Sequence, residues 1–283
     1  MPLLHLSALG LVLIAPLAGG LMAGIDRKLT ARMQGRMGPP ILQPFYDLGK
    51  LFAKEPVALN TLQILYIFLH LAFMILTLLL LALGQDLLMA LFAHAFAAIA
   101  LILAAMCVRS PYSRIGAQRK IMQILAYEPI LVLLVVGTYL TTGSFLARSV
   151  VEYPFPLLAA MPLGALAYFG VLLIKMEKSP FDVATSHHAH QELVKGITTE
   201  ISGPYLALVE IAHFYEAFIL FGIIPFFVLP HPVLGGLLAL VAFLGTLAVD
   251  NLCARVRTTP MVRFFWTLPM AMCLSNVAWL YLA

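Results

Sequence analysis

Apolar residues in this chain come in long blocks rather than at the alternate or every-third spacing of a half-buried element. Eight blocks can be marked, at about Leu3 to Ala23, Leu62 to Leu83, Leu87 to Val108, Ile121 to Thr142, Pro156 to Met176, Tyr205 to Leu229, Val233 to Asp250 and Val262 to Leu282. At 1.5 Å per helical residue, roughly 20 apolar residues cross a hydrocarbon layer about 30 Å thick. The pattern therefore predicts an all-α, polytopic integral membrane protein with about eight transmembrane helices. No internal repeat or low-complexity tract divides it, so residues 1–283 read as a single transmembrane domain with loops at about 24–61, 109–120, 177–204 and 251–261.

Composition strengthens this picture. With 62% apolar residues, 11% charged residues and a mean hydropathy of +0.99, the chain has too little polar surface for a soluble globule of its length. Charge then sets an orientation. Of 17 Lys and Arg residues, 16 fall in or beside the loops after the odd-numbered blocks, and Arg148 alone lies opposite. By the positive-inside rule those loops face the cytoplasm and both termini lie outside a cytoplasmic (inner) membrane. The basic pI follows from this topology and gives no reason to expect nucleic-acid binding, because the cations sit where they meet anionic lipid. The first block lacks a basic leader and is long enough to span, so it reads as a retained helix rather than a signal peptide. Cys107, Cys253 and Cys273 form no C-x-x-C and support neither a disulfide framework nor an iron–sulfur cluster.

Two loops concentrate the polar residues. In the first, Ile41, Leu42, Phe45, Leu48, Leu51 and Phe52 recur at helical spacing among Asp47, Lys50 and Lys54, which predicts an interfacial amphipathic helix after the chain break at Gly38, Pro39 and Pro40. A positive anchor lying on the bilayer is the simplest reading of it. The second gathers Glu177, Asp182, Glu192 and Glu200 with His187, His188 and His190. That composition suits a docking surface or a proton inlet, and one clustered histidine triplet is a weak metal signal.

Within the blocks the costly residues are Glu128, Glu210, His213 and Glu216. An ionised side chain at a helix centre costs about 2.5–3.5 kcal/mol, so these groups are expected to face protein or water, or to stay protonated. Glu210, His213 and Glu216 follow one another at i, i+3, i+6, about one turn apart, and could pass protons along a file. Interhelical hydrogen bonding is the plainer alternative. His70 and His94, on adjacent helices, raise bis-histidine haem ligation, but their depths differ by about 9 Å at the helical rise, and a core or interface histidine is the simpler reading of each.

Three segments carry a family resemblance. They are Asp26-Arg27-Lys28 with Gln34, Arg36, Gly38-Pro39, Leu42-Gln43-Pro44 and Asp47; Gly116, Arg119, Gln123 and Tyr127-Glu128; and Pro180-Phe181-Asp182 with Glu192-Leu193-Val194, Gly196, Glu200 and Ser202-Gly203. The pattern resembles the NuoH-type membrane subunit shared by respiratory complex I and energy-converting membrane-bound nickel–iron hydrogenases. Relative to complex I, the stretch before Leu42 is shorter and the loop after Asp182 is histidine-rich. Those departures resemble the Ech-type hydrogenase subunit and weaken the case for a quinone chamber. Lys175 stands where relatives often carry a carboxylate.

The resemblance implies a non-catalytic membrane anchor and ion-translocating subunit, proton-conducting by preference. Glu128, Glu210, His213, Glu216, Asp182, Glu192 and Glu200 would lie on the ion route. Arg36, Asp47, Arg119, His187, His188 and His190 would shape a docking surface. The chain itself would hold no cofactor and no metal. The nickel–iron centre and iron–sulfur clusters would reside in partners, namely hydrogenase large and small subunits, an iron–sulfur subunit and an antiporter-like membrane subunit, with ferredoxin supplying electrons indirectly. A quinone-site subunit of a complex I-type NADH dehydrogenase, or a stand-alone ion-coupled transporter, are the alternatives. The absence of an inverted repeat counts against the last.

Overall fold

The computed structural model describes residues 2–57, 60–184 and 195–282. Eleven α-helices are present among them: α1 (Pro2–Met33), α2 (Gln43–Phe52), α3 (Thr61–Ala82), α4 (Leu87–Met106), α5 (Pro111–Thr142), α6 (Ala147–Glu152), α7 (Leu157–Ala160), α8 (Pro162–Lys175), α9 (Gly203–Ile223), α10 (Pro232–Leu252) and α11 (Thr258–Leu282). The chain is an all-α polytopic membrane protein. Seven helices (α1, α3, α4, α5, α9, α10 and α11) are long and apolar enough to cross a bilayer. The fifth expected crossing is the exception. It breaks at Met161, whose backbone leaves the helical region just ahead of Pro162. The remaining 14-residue α8 spans about 21 Å at the helical rise, well short of the hydrocarbon layer.

Two further boundaries differ from the sequence reading. Asp26, Arg27, Lys28 and Arg32 are not in a loop but continue α1 to Met33, since nothing before Gly35 breaks the helix. Likewise 111–120 is the start of α5, initiated by Pro111 at its first position, where the missing N–H would be unpaired anyway. Other ends have local causes. The Asp86 carboxylate accepts from the Leu88 and Met89 amides at 2.7 and 3.2 Å, Asn60 accepts from Leu62 at 3.0 Å, and Gly143 closes α5 with a left-handed φ of 76°.

The connections gather at two ends. At the short-loop end, Gln85 and Gly84 accept from the Ala147 and Arg148 amides, tying the α3–α4 turn to α6. At the opposite, basic end, Lys178 bridges Asp26 and Asp250 at 2.5 and 3.1 Å, and the Val256 amide donates to Pro180. The α2 helix packs there against α1 and α9, with Phe45 against Phe214 and Gly20. Close approach needs glycine at two points. A Cβ on Gly19 would overlap the Phe214 carbonyl, and one on Gly24 the Ile41 carbonyl, so small residues let α1 seat α9 and the loop before α2.

Prolines inside the helices leave carbonyls without an intrahelical donor, and for Pro16 and Pro129 a neighbouring helix supplies one. Pro16 frees the Val12 carbonyl, which accepts from the Tyr215 hydroxyl at 2.8 Å. Pro129 frees that of Leu125, which accepts from the Trp266 indole at 3.1 Å.

Candidate functional site

Just inside the basic end of the bundle, buried ionisable groups are collected from four helices, α4, α5, α8 and α9. Lys175, at the end of α8, places its ammonium 2.5 Å from Glu216 Oε1 of α9 and 3.2 Å from the Tyr127 hydroxyl of α5, above the tyrosine ring. His94 of α4 brings Nε2 to 3.7 Å from the same carboxylate oxygen. A second pair lies beside it, Lys120 of α5 with Glu177 just after α8, at 2.5 Å. Both lysines are at least 95% buried. Neither pair is a surface anchor, and each ion balances a charge that would otherwise be stranded in an apolar medium.

The cluster continues toward α3. His70 Nδ1 lies 2.8 Å from the Ala97 carbonyl; a carbonyl only accepts, so Nδ1 carries the proton and donates. Its ring meets the His213 ring edge-on at 6.2 Å. Glu128, next to Tyr127, has a buried Oε2 with no hydrogen-bond partner among the described residues, and Lys175 is the cation whose field reaches it. Neither ring nitrogen of His94 is hydrogen-bonded among the described residues. The arrangement thus offers ionisable groups in near contact, several holding unused hydrogen-bonding capacity, which is what proton exchange requires and a closed structural ion pair does not.

Two spaces adjoin it. An apolar cavity of about 120 Å³ runs from Leu87 and Ile223 near the short-loop end to His94. On the basic side, a polar cleft of about 280 Å³ between α1, α2 and α9 is lined by Glu210.

The family model described as NADH dehydrogenase matches residues 6–281. The chain belongs to the NADH dehydrogenase family. Hydrogenase-4 component C of Escherichia coli (strain K12) is 30% identical over 208 residues, 67% of this chain and 64% of that protein. An NADH-quinone oxidoreductase subunit of Dehalococcoides mccartyi is 26% identical over 298 residues, 95% of this chain and 82% of its own. Among solved structures, a chain of the membrane-bound sulfane sulfur reductase, an archaeal respiratory membrane complex, superposes with a TM-score of 0.87 at 25% identity, covering 98% of this chain and 99% of that one. This family member is accordingly a membrane subunit of a respiratory-type, multisubunit oxidoreductase complex.

In this NADH dehydrogenase family chain the residues singled out by sequence do not gather at one place. Glu216 sits in the charge cluster, with Glu128 beside it. His213 meets the His70 ring and lies within electrostatic reach of Glu216, while Glu210 lines the basic cleft. Asp182 lies apart at the basic end, 3.5 Å from Arg255. Glu200 is there too, its main-chain carbonyl accepting from Gln63 at 3.3 Å. Of the expected docking residues, Arg36 is exposed and hydrogen-bonds Gln34, Asp47 pairs with Arg27 at 3.0 Å, and Arg119 reaches the Val183 carbonyl at 3.4 Å. Asp47 thus ties α2 to α1, and Arg119 ties α5 to the segment after α8. Glu192, His187, His188 and His190 lie outside the described residues. Sequence reasoning missed Lys175, Lys120, Glu177, Tyr127 and His94 as members of one cluster. The two lysines were counted with the boundary cations, and only the departure at Lys175 from the family pattern marked it as unusual.

Proposed function

We propose that this chain is the membrane-anchor and ion-translocating subunit of an energy-converting, hydrogenase-type complex, with protons as the preferred ion. The observation that carries the reading is the Lys175–Glu216–His94 contact, flanked by Tyr127, Glu128 and the Lys120–Glu177 pair. A redox event in a partner seated on the basic end would move the loop bearing Glu177, loosen its hold on Lys120, and shift charge along the buried pairs to Glu216. Repartition of one proton between Glu216, His94 and Glu128 would follow, because Lys175 cannot stabilise two separated carboxylates equally. In this reading the basic end faces the cytoplasm, in keeping with the loop charges. The exposed Arg36 and the loop that contains His187, His188 and His190 contribute to docking. Nickel–iron and iron–sulfur centres belong to hydrogenase large and small subunits and an iron–sulfur subunit, an antiporter-like subunit lies alongside, and ferredoxin is the upstream donor.

The hydrogenase assignment is supported by the motif departures around Leu42 and Asp182 and by the likeness to hydrogenase-4 component C. The likeness to the sulfane sulfur reductase chain favours a second reading, the same membrane part under a sulfur-reducing module. Metal and activity measurements on the complex purified through this chain separate them. Stoichiometric nickel, with hydrogen evolution from a reduced low-potential donor coupled to ion uptake in vesicles, is the expected result. A nickel-free complex that reduces sulfur compounds would replace the hydrogenase assignment while keeping the ion route.

A further inference from the structure

We propose that the basic cleft between α1, α2 and α9 is a binding site for the phosphate headgroup of an anionic membrane lipid. The inference rests on the membrane fold and not on the hydrogenase reading. Four cations, Arg27, Lys50, Lys54 and Lys195, surround a space of about 280 Å³ against two carboxylates, Asp47 and Glu210. Asp47 is already engaged, at 3.0 Å from Arg27 and 3.9 Å from Lys50. The remaining positive character is uncompensated by any ion pair at Lys54 or Lys195 among the described residues, so the site favours an anion.

The apolar part of the lining says which anion. Pro44, Leu48 and Leu51, which recur on one face of α2, line the cleft together with Leu206 and Phe214 of α9. Leu42, at the start of this short helix, and Tyr46 and Phe52 within it are exposed, as suits a helix lying at a bilayer surface. A cleft that sets cations beside apolar side chains matches a molecule with a phosphate and attached chains, whereas a free phosphate ion has no use for the apolar lining. Basic pockets between membrane helices recognise headgroups in this way. A quinone ring is neutral and would leave the lysines without a counter-charge.

The test uses the whole purified complex. Native mass spectrometry after delipidation should show one retained or re-bound anionic phospholipid when phosphatidylglycerol is added, and none with phosphatidylcholine alone. Lys50→Gln with Lys54→Gln should lower that binding roughly tenfold or more, since each lysine near such a surface contributes on a similar scale. Lys50→Arg with Lys54→Arg should retain it, and so should Arg114→Gln, an exposed cation outside the cleft. Displacement of the lipid by millimolar inorganic phosphate, an unchanged affinity in the double glutamine variant, or displacement by a short-chain quinone irrespective of lipid charge would each overturn the proposal.

Discussion

Lys175 and Glu216 join α8 to α9 by an ion pair of 2.5 Å in which the lysine side chain is 99% buried. Such a contact contributes little net stability relative to an apolar pair, because both ions had to leave water, but it makes each partner indispensable to the other. It also ties the apolar helix too short to span the membrane to the most buried of the seven spans.

The pair therefore predicts a non-additive stability cycle. Lys175→Met strands the Glu216 carboxylate and should destabilise the protein by about 3–5 kcal/mol, and Glu216→Gln should do so by a comparable amount through Lys175. The double variant should recover most of the loss. Thermal unfolding of the purified complex, followed as a double-mutant cycle, checks this; additive losses would mean that the two side chains do not share one electrostatic contact.

The placement of the acids predicts unequal effects on ion movement. Glu128→Gln removes a carboxylate beside Lys175, and Glu210→Gln one that lines the outer cleft. Both variants should leave donor-driven turnover in detergent nearly intact while weakening ion uptake by vesicles. The larger deficit is expected at Glu128, because a group in the buried cluster has fewer substitutes than one lining an open cleft. Unimpaired uptake in both would remove them from the route.

Much of the fold could be read from sequence because hydrophobic block length and loop charge are local properties. They gave seven of the eight expected crossings and the amphipathic α2. What pairs with what across helices is not local. Lys175 and Lys120 looked like boundary cations, since a lysine at the end of an apolar block carries no mark of whether a carboxylate from another helix awaits it. The i, i+3, i+6 spacing of Glu210, His213 and Glu216 correctly placed them near one another on α9. That spacing also implies about 120° of drift around the helix, at 100° per residue, but it could not name the neighbours, the basic cleft for Glu210 and His70, His94 and Lys175 for the other two. Pro162 was visible as well, yet within an unbroken apolar run it did not announce that the crossing would shorten.

Proline and tyrosine are coupled across α1 and α9 in a way that a second cycle can expose. Pro16 removes the amide that would have bonded the Val12 carbonyl, and the Tyr215 hydroxyl donates to that carbonyl at 2.8 Å instead. Tyr215→Phe keeps the ring and deletes the donor, so a buried carbonyl is left unpaired at a cost of about 1–3 kcal/mol. Pro16→Ala restores a main-chain N–H that can reach Val12. In that background the same Tyr215→Phe change should cost little, because the helix now satisfies its own carbonyl. Thermal unfolding of the four proteins provides the comparison. A Tyr215→Phe penalty that is the same with and without Pro16 would show that the hydroxyl acts elsewhere than at the carbonyl the proline set free.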